Sequence, residues 1–585
     1  TVSSNGVSKN VSVSTVDIDN YTSQYANASI ENLSFVASSS IVSVKVNYNK
    51  PLSSSVAWLD YLQVNSRRNL KMHGNQLFFR DLNTVGTGNV SQFNLTGANN
   101  VEKIWDISNP FNIRELQINL GSTISFVATT DTLRQFVAFT SNYDTQVFPR
   151  GKLNNQNLHA LGQNDYIIVA HQNFLNQAEQ IADFHRQDGL SVVVVTPNQI
   201  YNEFSSGSQD PIAIRSFIKM FYDRATISSE LPKYLLLFGD GSYDNKNRIL
   251  GNTNYIPTYQ STNSLGVIGS LVTDDYFGLL DPNEGNWSFG VEYVDVGIGR
   301  IPAKSQEEAD NVVNKILNYK QPQTMKDWRN QITFIGDVGG GGDTWEGNIH
   351  MKQSNDLATL VENSNPEYNP NKIFFDAYKK ELTPGGSRFP DVNKEIIRAF
   401  NEGSLIINYT GHGGETGWAH ERVLTVADIN KLSNTDNFPL IVTATCEFSR
   451  FDDPKRTSAG ELTLINKTGA LALLTTVRLV YSTPNFLLNK SFYENVFVED
   501  NNEKKRLGEI FMITKNLNAS NANNRNFTLL GDPALKLAYP KYDVATTKFN
   551  GTTISTVLDT VKALQKVTIE GFVKDYNGNK LSNYN

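Results

Sequence analysis

The sequence predicts a multidomain chain that combines all-β and α/β parts, on three observations. Residues 1 to about 155 alternate apolar and polar side chains between Gly, Asn and Ser punctuation, the period-two pattern of half-buried strands. From Tyr166 onward, continuous apolar runs of strand length alternate with helical stretches, the signature of a parallel sheet covered on both faces. From Asp543 the β pattern returns. The expected division is a β-rich N-terminal domain over 1–158, a first doubly wound α/β subdomain over 159–325, a second over 326–541, and the start of an Ig-like β-sandwich over 542–585. A chain of 585 residues needs several domains, because single cores rarely grow beyond about 300 residues.

Taken in order, Ile41-Val42-Ser43-Val44-Lys45-Val46-Asn47-Tyr48 typifies the N-terminal alternation and reads as a half-buried strand. Tyr166 to Ala170 is a continuous apolar strand, followed by a helix near 174–188. Ser191 to Val195 is a second strand, and Pro211 opens another helix, where a first-turn proline costs no hydrogen bond. Tyr234 to Phe238 is a third strand, ending at Gly239-Asp240. The second α/β unit begins after a helix ending near Tyr319 and the turn at Gln321-Pro322. Its strands are Gln331–Gly336, 404–409, 439–444 and Ala470–Thr475, with helices near 347–363, 391–401, 457–466, 485–498 and 505–517. The final strand pattern, Gln565 to Val573, runs to Asn585 before a sandwich closes, so the natural protein is expected to continue.

Composition excludes several functions. The net charge is −7 with no lysine- or arginine-rich run, which argues against a nucleic-acid partner. A single cysteine excludes an intramolecular disulfide and leaves the redox compartment unread. No apolar run reaches the roughly 18 residues of a membrane helix. Thr1 is not an initiator methionine and no signal peptide is present, so the chain reads as processed. Asn-x-Ser/Thr triplets, as at Asn27 and Asn32, are expected by chance at this asparagine content.

The chemistry concentrates at two strand ends. Pro439 to Ala444 runs into Thr445-Cys446, and Leu405 to Tyr409 runs into Thr410-Gly411-His412-Gly413-Gly414. In an open parallel sheet the carboxyl ends of neighbouring strands converge on one crevice, so a thiol and an imidazole meet there. Such a pair is a nucleophile and its base. The glycines around His412 allow close backbone approach and exposed N–H groups. A zinc site built from Cys446, His412 and His420 is the alternative, but it needs further ligands, and no CxxC or HExxH motif occurs. Gly339-Gly340-Gly341-Gly342 lacks the Lys-Ser/Thr of a phosphate-binding loop and reads as a substrate loop.

The string Asn408-Tyr409-Thr410-Gly411-His412-Gly413-Gly414-Glu415-Thr416-Gly417-Trp418, followed by Thr445-Cys446, resembles the gingipain family of caspase-like cysteine peptidases. The resemblance spans roughly 160–540, with support from Leu236-Leu237-Phe238-Gly239-Asp240, Thr273-Asp274-Asp275-Tyr276-Phe277-Gly278, Gly297-Ile298-Gly299-Arg300-Ile301 and Leu530-Gly531-Asp532-Pro533. Within the family, Trp58-Leu59-Asp60-Tyr61, Arg67-Arg68 and Ile104-Trp105-Asp106-Ile107 bring it nearest to the surface sortases of the bacterial type IX secretion system.

The resemblance implies two caspase-like α/β subdomains side by side, with Cys446 as nucleophile, His412 as base and Asp337 as the residue that orients the imidazole. It implies an oxyanion hole from the backbone N–H groups of Gly413 and Cys446. The family position that binds a basic side chain carries Asn348, so strict Arg or Lys specificity is not expected, and Glu346 or His350 are the possible substitutes. Trp418 and Trp345 are candidates to line the cleft, with core packing the alternative. Glu447 reads as a solvated carboxylate. No cofactor is required for the chemistry; structural calcium is an option at Asp274, Asp275, Asp452 and Asp453. A sortase would act at the outer membrane on the bacterial cell surface. Its substrates would be cargo proteins with C-terminal sorting domains. Its partner would be the outer-membrane β-barrel protein PorV, and a surface lipopolysaccharide its acyl acceptor. A secreted degradative peptidase and a non-catalytic surface scaffold are the competing expectations.

Overall fold

The computed structural model describes residues 1–585 except 21, 40, 141–150, 263–264, 286–290, 340–346, 501–502, 541, 555–559, 576–577 and 583–585. The chain divides into two compact units, Thr1–Ser12 with Ile30–Asn155, and Val13–Ser29 with Gln156–Asn585.

In the first unit a four-stranded antiparallel sheet is ordered Gln76–Phe79, Phe136–Thr140, Val101–Asp106, Arg114–Glu115, and Val90–Thr96 pairs with Thr123–Thr129. Alternate inward positions converge on Phe79, Phe93, Phe126 and Phe136, whose rings meet at centroid distances of 5.0–6.3 Å. The stretch Ile41–Tyr48 does not form the half-buried strand its alternation predicts. Only Lys45–Val46 is strand, paired antiparallel with Val2–Ser3, and Ile41 is 77% exposed.

The second unit is built on one ten-stranded sheet. Its strands are β1 (Tyr166–Ala170), β2 (Val192–Val195), β3 (Tyr234–Phe238), β4 (Gly297–Ile301), β5 (Gln331–Gly336), β6 (Asn369–Phe374), β7 (Ile406–Thr410), β8 (Leu440–Ala444), β9 (Ala472–Thr476) and β10 (Phe527–Leu530). Their order is β2-β1-β3-β4-β10-β9-β8-β7-β5-β6, and every neighbouring pair is parallel except β9–β10. The two α/β subdomains are thus halves of a continuous sheet that run in opposite directions. The late strand β10 belongs by direction to the first half.

Burial on both faces explains the unbroken apolar runs. Ile167 and Val169 of β1 point into a core shared with α2 (Pro197–Phe204) and α3 (Pro211–Arg224). Tyr166, Ile168 and Ala170 point the other way, to α1 (Leu175–Gln187) and α4 (Gln306–Asn318). Helices α5 (Ile349–Ser364), α6 (Pro390–Glu402), α7 (Ala459–Ile465), α8 (Ser482–Asn495) and α9 (Leu507–Leu517) join that same large core. Helix starts are chemically marked: Thr196 with Gln199, Ser305 with Glu308 and Ser458 with Glu461 each form a reciprocal capping box. Val13–Ser29 runs with this unit, Tyr25 N–H donating to Leu265 C=O at 3.0 Å. A small antiparallel sheet of Asp543–Phe549, Thr552–Thr553 and Ile569–Lys574 follows.

The core also buries charge. Lys315 of α4 is 2% exposed, and its ammonium donates to the carbonyls of Leu464 and Ala470. Burial pushes its pKa down to about 7. Between that value and the ordinary lysine range near 10.4, the unfolded chain holds a proton that the folded chain has lost. This group therefore makes stability rise with pH, by about 1.4 kcal/mol per pH unit at most. Denaturant unfolding of wild type and Lys315→Met at pH 7.5 and 9.5 checks it: the stability difference between them shifts toward wild type at the higher pH. A pH-independent difference contradicts it.

Candidate active site

Three neighbouring strand ends make the site. In the parallel register Gly336 of β5 lies opposite Thr410 of β7, and Thr410 lies opposite Ala444 of β8. His412 and Cys446 therefore each stand two residues beyond a paired strand end, on strands that neighbour at about 4.8 Å. Asp337 stands one residue beyond the third, its N–H donating to Thr410 C=O at 3.0 Å.

The turn that carries His412 is held tightly. Asp337 Oδ2 accepts the His412 backbone N–H at 2.9 Å, and its Oδ1 accepts the Val338 N–H at 2.8 Å. The His412 carbonyl accepts the Tyr409 hydroxyl at 2.6 Å and the Ala419 N–H at 2.8 Å. The Tyr409 hydroxyl is also 3.2 Å from Asp337 Oδ2. Asp337 thus grips the peptide that carries the imidazole. Burial pushes its carboxyl up to about 6, against the opposing pull of the His412 N–H. The glycines are dictated by space. A Cβ on Gly411 would lie 2.3 Å from Asp337 Cβ and 2.6 Å from the Tyr409 hydroxyl, and one on Gly413 would lie 2.6 Å from Thr445 Oγ1. That last approach puts the His412 turn directly against the Cys446 turn.

Cys446 is half-buried, and its Sγ donates to the Val480 carbonyl at 3.5 Å, the acceptor coming from the loop after β9. Burial raises the thiol above its ordinary value. At neutral pH it is a thiol that must surrender its proton on attack. The following residue, Glu447, adopts a left-handed φ of 49°, and its N–H donates to Arg478 C=O at 3.3 Å. Glu447 is not the solvated carboxylate expected. It is partly enclosed, its pKa raised by burial, 3.5 Å from Arg450, which also pairs with Glu415 at 2.9 Å. That Glu415–Arg450 pair links the His412 loop to the Cys446 loop.

The remaining candidates separate. Trp418 is fully buried, stacked on Tyr409 at 4.4 Å and 9°, so it packs under the His412 turn and does not line a cleft. His350, in the first turn of α5, is 5% exposed and meets the His412 ring edge-on at 5.1 Å, which places it against the base. Asn348 is exposed at the start of α5. Glu346, Trp345 and Gly340–Gly342 lie outside the described residues. His420 is 5.5 Å from the His412 ring, and among the described residues no group of three His, Cys, Asp or Glu side chains is placed to hold a metal.

The four aspartates considered for calcium face cations of the protein. Asp274 takes Arg300 at 2.6 and 2.8 Å; Asp275 takes Lys515 at 2.5 and 2.7 Å and Arg525 at 3.3 Å. Asp452 takes Arg478 in a fork at 2.7 and 2.5 Å; Asp453 accepts the Lys455 N–H at 3.0 Å and lies 3.4 Å from Arg456. These carboxylates are already neutralised by side chains and do not fit a calcium cage. The Asp452–Arg478 fork instead ties the Cys446 loop to the loop that brings Val480 to the thiol. Spacing held no sign of that pairing.

Comparison with known proteins places the chain in a family and a fold. The family model described as peptidase family C25 matches residues 159–538. Gingipain R2 of Porphyromonas gingivalis is 25% identical over 281 residues, covering 48% of this chain and 32% of that protein. Lys-gingipain of the same organism is 25% identical over 284 residues, covering 48% of this chain and 14% of its own length. The chain thus spans about a third or less of these relatives. Among solved structures, dimeric latent PorU from Porphyromonas gingivalis aligns with a TM-score of 0.52 at 24% identity, over 87% of this chain and 44% of that one. The Arg-specific cysteine proteinase gingipain R aligns with a TM-score of 0.50 at 22% identity, over 67% and 82%.

Two substitutions check the geometry. Gly411→Ala should lower peptidase turnover about 100-fold by displacing His412, with the protein still cooperatively folded by circular dichroism. Arg478→Met leaves Asp452 buried without its partner and should cost about 3–5 kcal/mol in denaturant unfolding. A loss under 1 kcal/mol would show the fork to be dispensable.

Proposed function

Because the chain belongs to peptidase family C25, we propose that it is a cysteine endopeptidase that acts as a cell-surface sortase. The observation that carries the peptidase reading is the placement of Cys446 and His412 just past paired ends of β7 and β8. In the reaction, Cys446 Sγ attacks the scissile carbonyl carbon while its proton passes to His412. The oxyanion forms against the backbone N–H groups of Gly413 and Cys446. Collapse breaks the C–N bond, and the leaving amine takes the proton from His412. Water or an amine then attacks the thioester, His412 receiving its proton and returning it to the sulfur.

The sortase reading is supported by the N-terminal motifs around Trp58, Arg67 and Trp105, and by a fold likeness to PorU that reaches over 87% of the chain. On this reading the substrate is a cargo protein with a C-terminal sorting domain. The partner is an outer-membrane β-barrel protein of the PorV kind, the acceptor is a surface lipopolysaccharide amine, and the site of action is the bacterial cell surface. No helix among the described residues is long and apolar enough to cross a membrane. With Asn348 exposed and neutral at the position where a carboxylate would bind a basic side chain, cleavage is not restricted to Arg or Lys.

Intact-mass spectrometry of a purified cargo C-terminal domain, incubated with the protein and a small amine, tests this. A single defined cut with the amine on the new carboxyl end is expected, and none with Cys446→Ala or His412→Ala. Many cuts ending in free carboxylates would make the protein a degradative peptidase. Cleavage surviving in Cys446→Ala would overturn Cys446 as the nucleophile, and no cleavage by the wild type would overturn the peptidase assignment.

A further inference from the structure

We propose that Tyr409 is a positioning residue for the base, acting through the backbone of His412; this rests on the peptidase reading above. Tyr409 is the penultimate residue of β7 and is fully buried. Its hydroxyl reaches past the strand end to the His412 carbonyl at 2.6 Å and to Asp337 Oδ2 at 3.2 Å. The hydroxyl's single proton goes to the nearer His412 carbonyl, and the same Asp337 oxygen takes the His412 N–H at 2.9 Å, so the phenol and the carboxylate hold the His412 backbone from its two sides. Its ring is fixed from below by the Trp418 stack, and Trp418 is itself tied to the turn through the pairing of Gly413 with Trp418. Gly411 exists without a side chain because the Tyr409 hydroxyl and Asp337 fill that space.

The arrangement has a functional consequence. A base that must lift a proton from a thiol above its ordinary pKa needs accurate placement, since displacement of about 1 Å at such a site costs on the order of 100-fold in rate. Asp337 alone fixes the N–H side of His412. Tyr409 and the Ala419 N–H fix the carbonyl side. Without the phenol hydroxyl the His412 carbonyl keeps one donor and the turn can rotate about it.

Tyr409→Phe retains the ring stack and removes only the hydroxyl. Two readouts test it: steady-state cleavage of a peptide substrate, and the rate at which iodoacetamide alkylates Cys446 at pH 8, followed by intact mass without any substrate. In Tyr409→Phe, kcat is expected to fall about 10- to 100-fold with KM within about twofold. The alkylation rate should fall toward that of His412→Ala, and adding Tyr409→Phe to His412→Ala should change nothing further. Tyr409→Leu, which also removes the stacked ring, should be no better than Phe. Unchanged kcat and alkylation in a folded Tyr409→Phe would overturn the inference. So would an additional loss in the His412→Ala background, which would mark the hydroxyl as merely structural. If wild type and His412→Ala alkylate alike, His412 is not the base and the peptidase reading falls with the inference.

Discussion

The site depends on one constraint: the parallel register that sets Gly336, Thr410 and Ala444 side by side in the sheet. Because a one-residue slip in a strand reverses the direction of every side chain, this register is enforced along its whole length by the two buried faces. Ile406, Ile407, Leu440 and Ile441 are each fully buried, so no alternative pairing keeps their apolar surface from water. The chemistry at the strand ends is therefore positioned by hydrophobic burial some distance below it. Asp337, His412 and Cys446 need contribute nothing to that stability.

Above the register, buried polar contacts make the loops rigid. Two loops meet through Glu415 and Arg450, and two through Asp452 and Arg478. The Asp452–Arg478 pair is strongly unfavourable to break singly, because the survivor is a charge with little access to water, whereas Arg450 and Glu415 each keep a second partner in Glu447 and Arg456. The same logic accounts for Arg300 of β4 with Asp274 and for Lys515 of α9 with Asp275. Paired acidic residues that suggest cation binding in a sequence are here matched by arginines and lysines, distant in the chain for Asp274, Asp275 and Asp452 and three residues away for Asp453.

Much of this was legible in the sequence and some was not, for physical reasons. Cys446 and His412 could be found because each follows an apolar run that only a buried strand explains, and parallel strand ends converge. Most helices were legible from their period, and α3 from its first-turn proline, but the short α2 directly after β2 was not read. Strand β6 was not, since Asn369-Pro370-Asn371-Lys372 at a sheet edge carries no apolar run. Strand β10 was not, since four residues are too few to show a period, and with it the antiparallel joint stayed hidden. Trp418 looked equally suited to a cleft or a core. Only the Tyr409 stack decides it. Val480 and Arg478 had no signal at all, because their roles come from the loop of a third strand folding back on the thiol.

The central claim is that Cys446 carries the acyl group. Acid quenching within the first turnovers on a cleavable peptide, followed by intact mass and peptide mapping, tests it directly. An adduct of the mass of the N-terminal fragment is expected, located on Cys446 and released by hydroxylamine, as a thioester is. Peptide cleavage with no adduct on Cys446, continuing unchanged in Cys446→Ala, would contradict it.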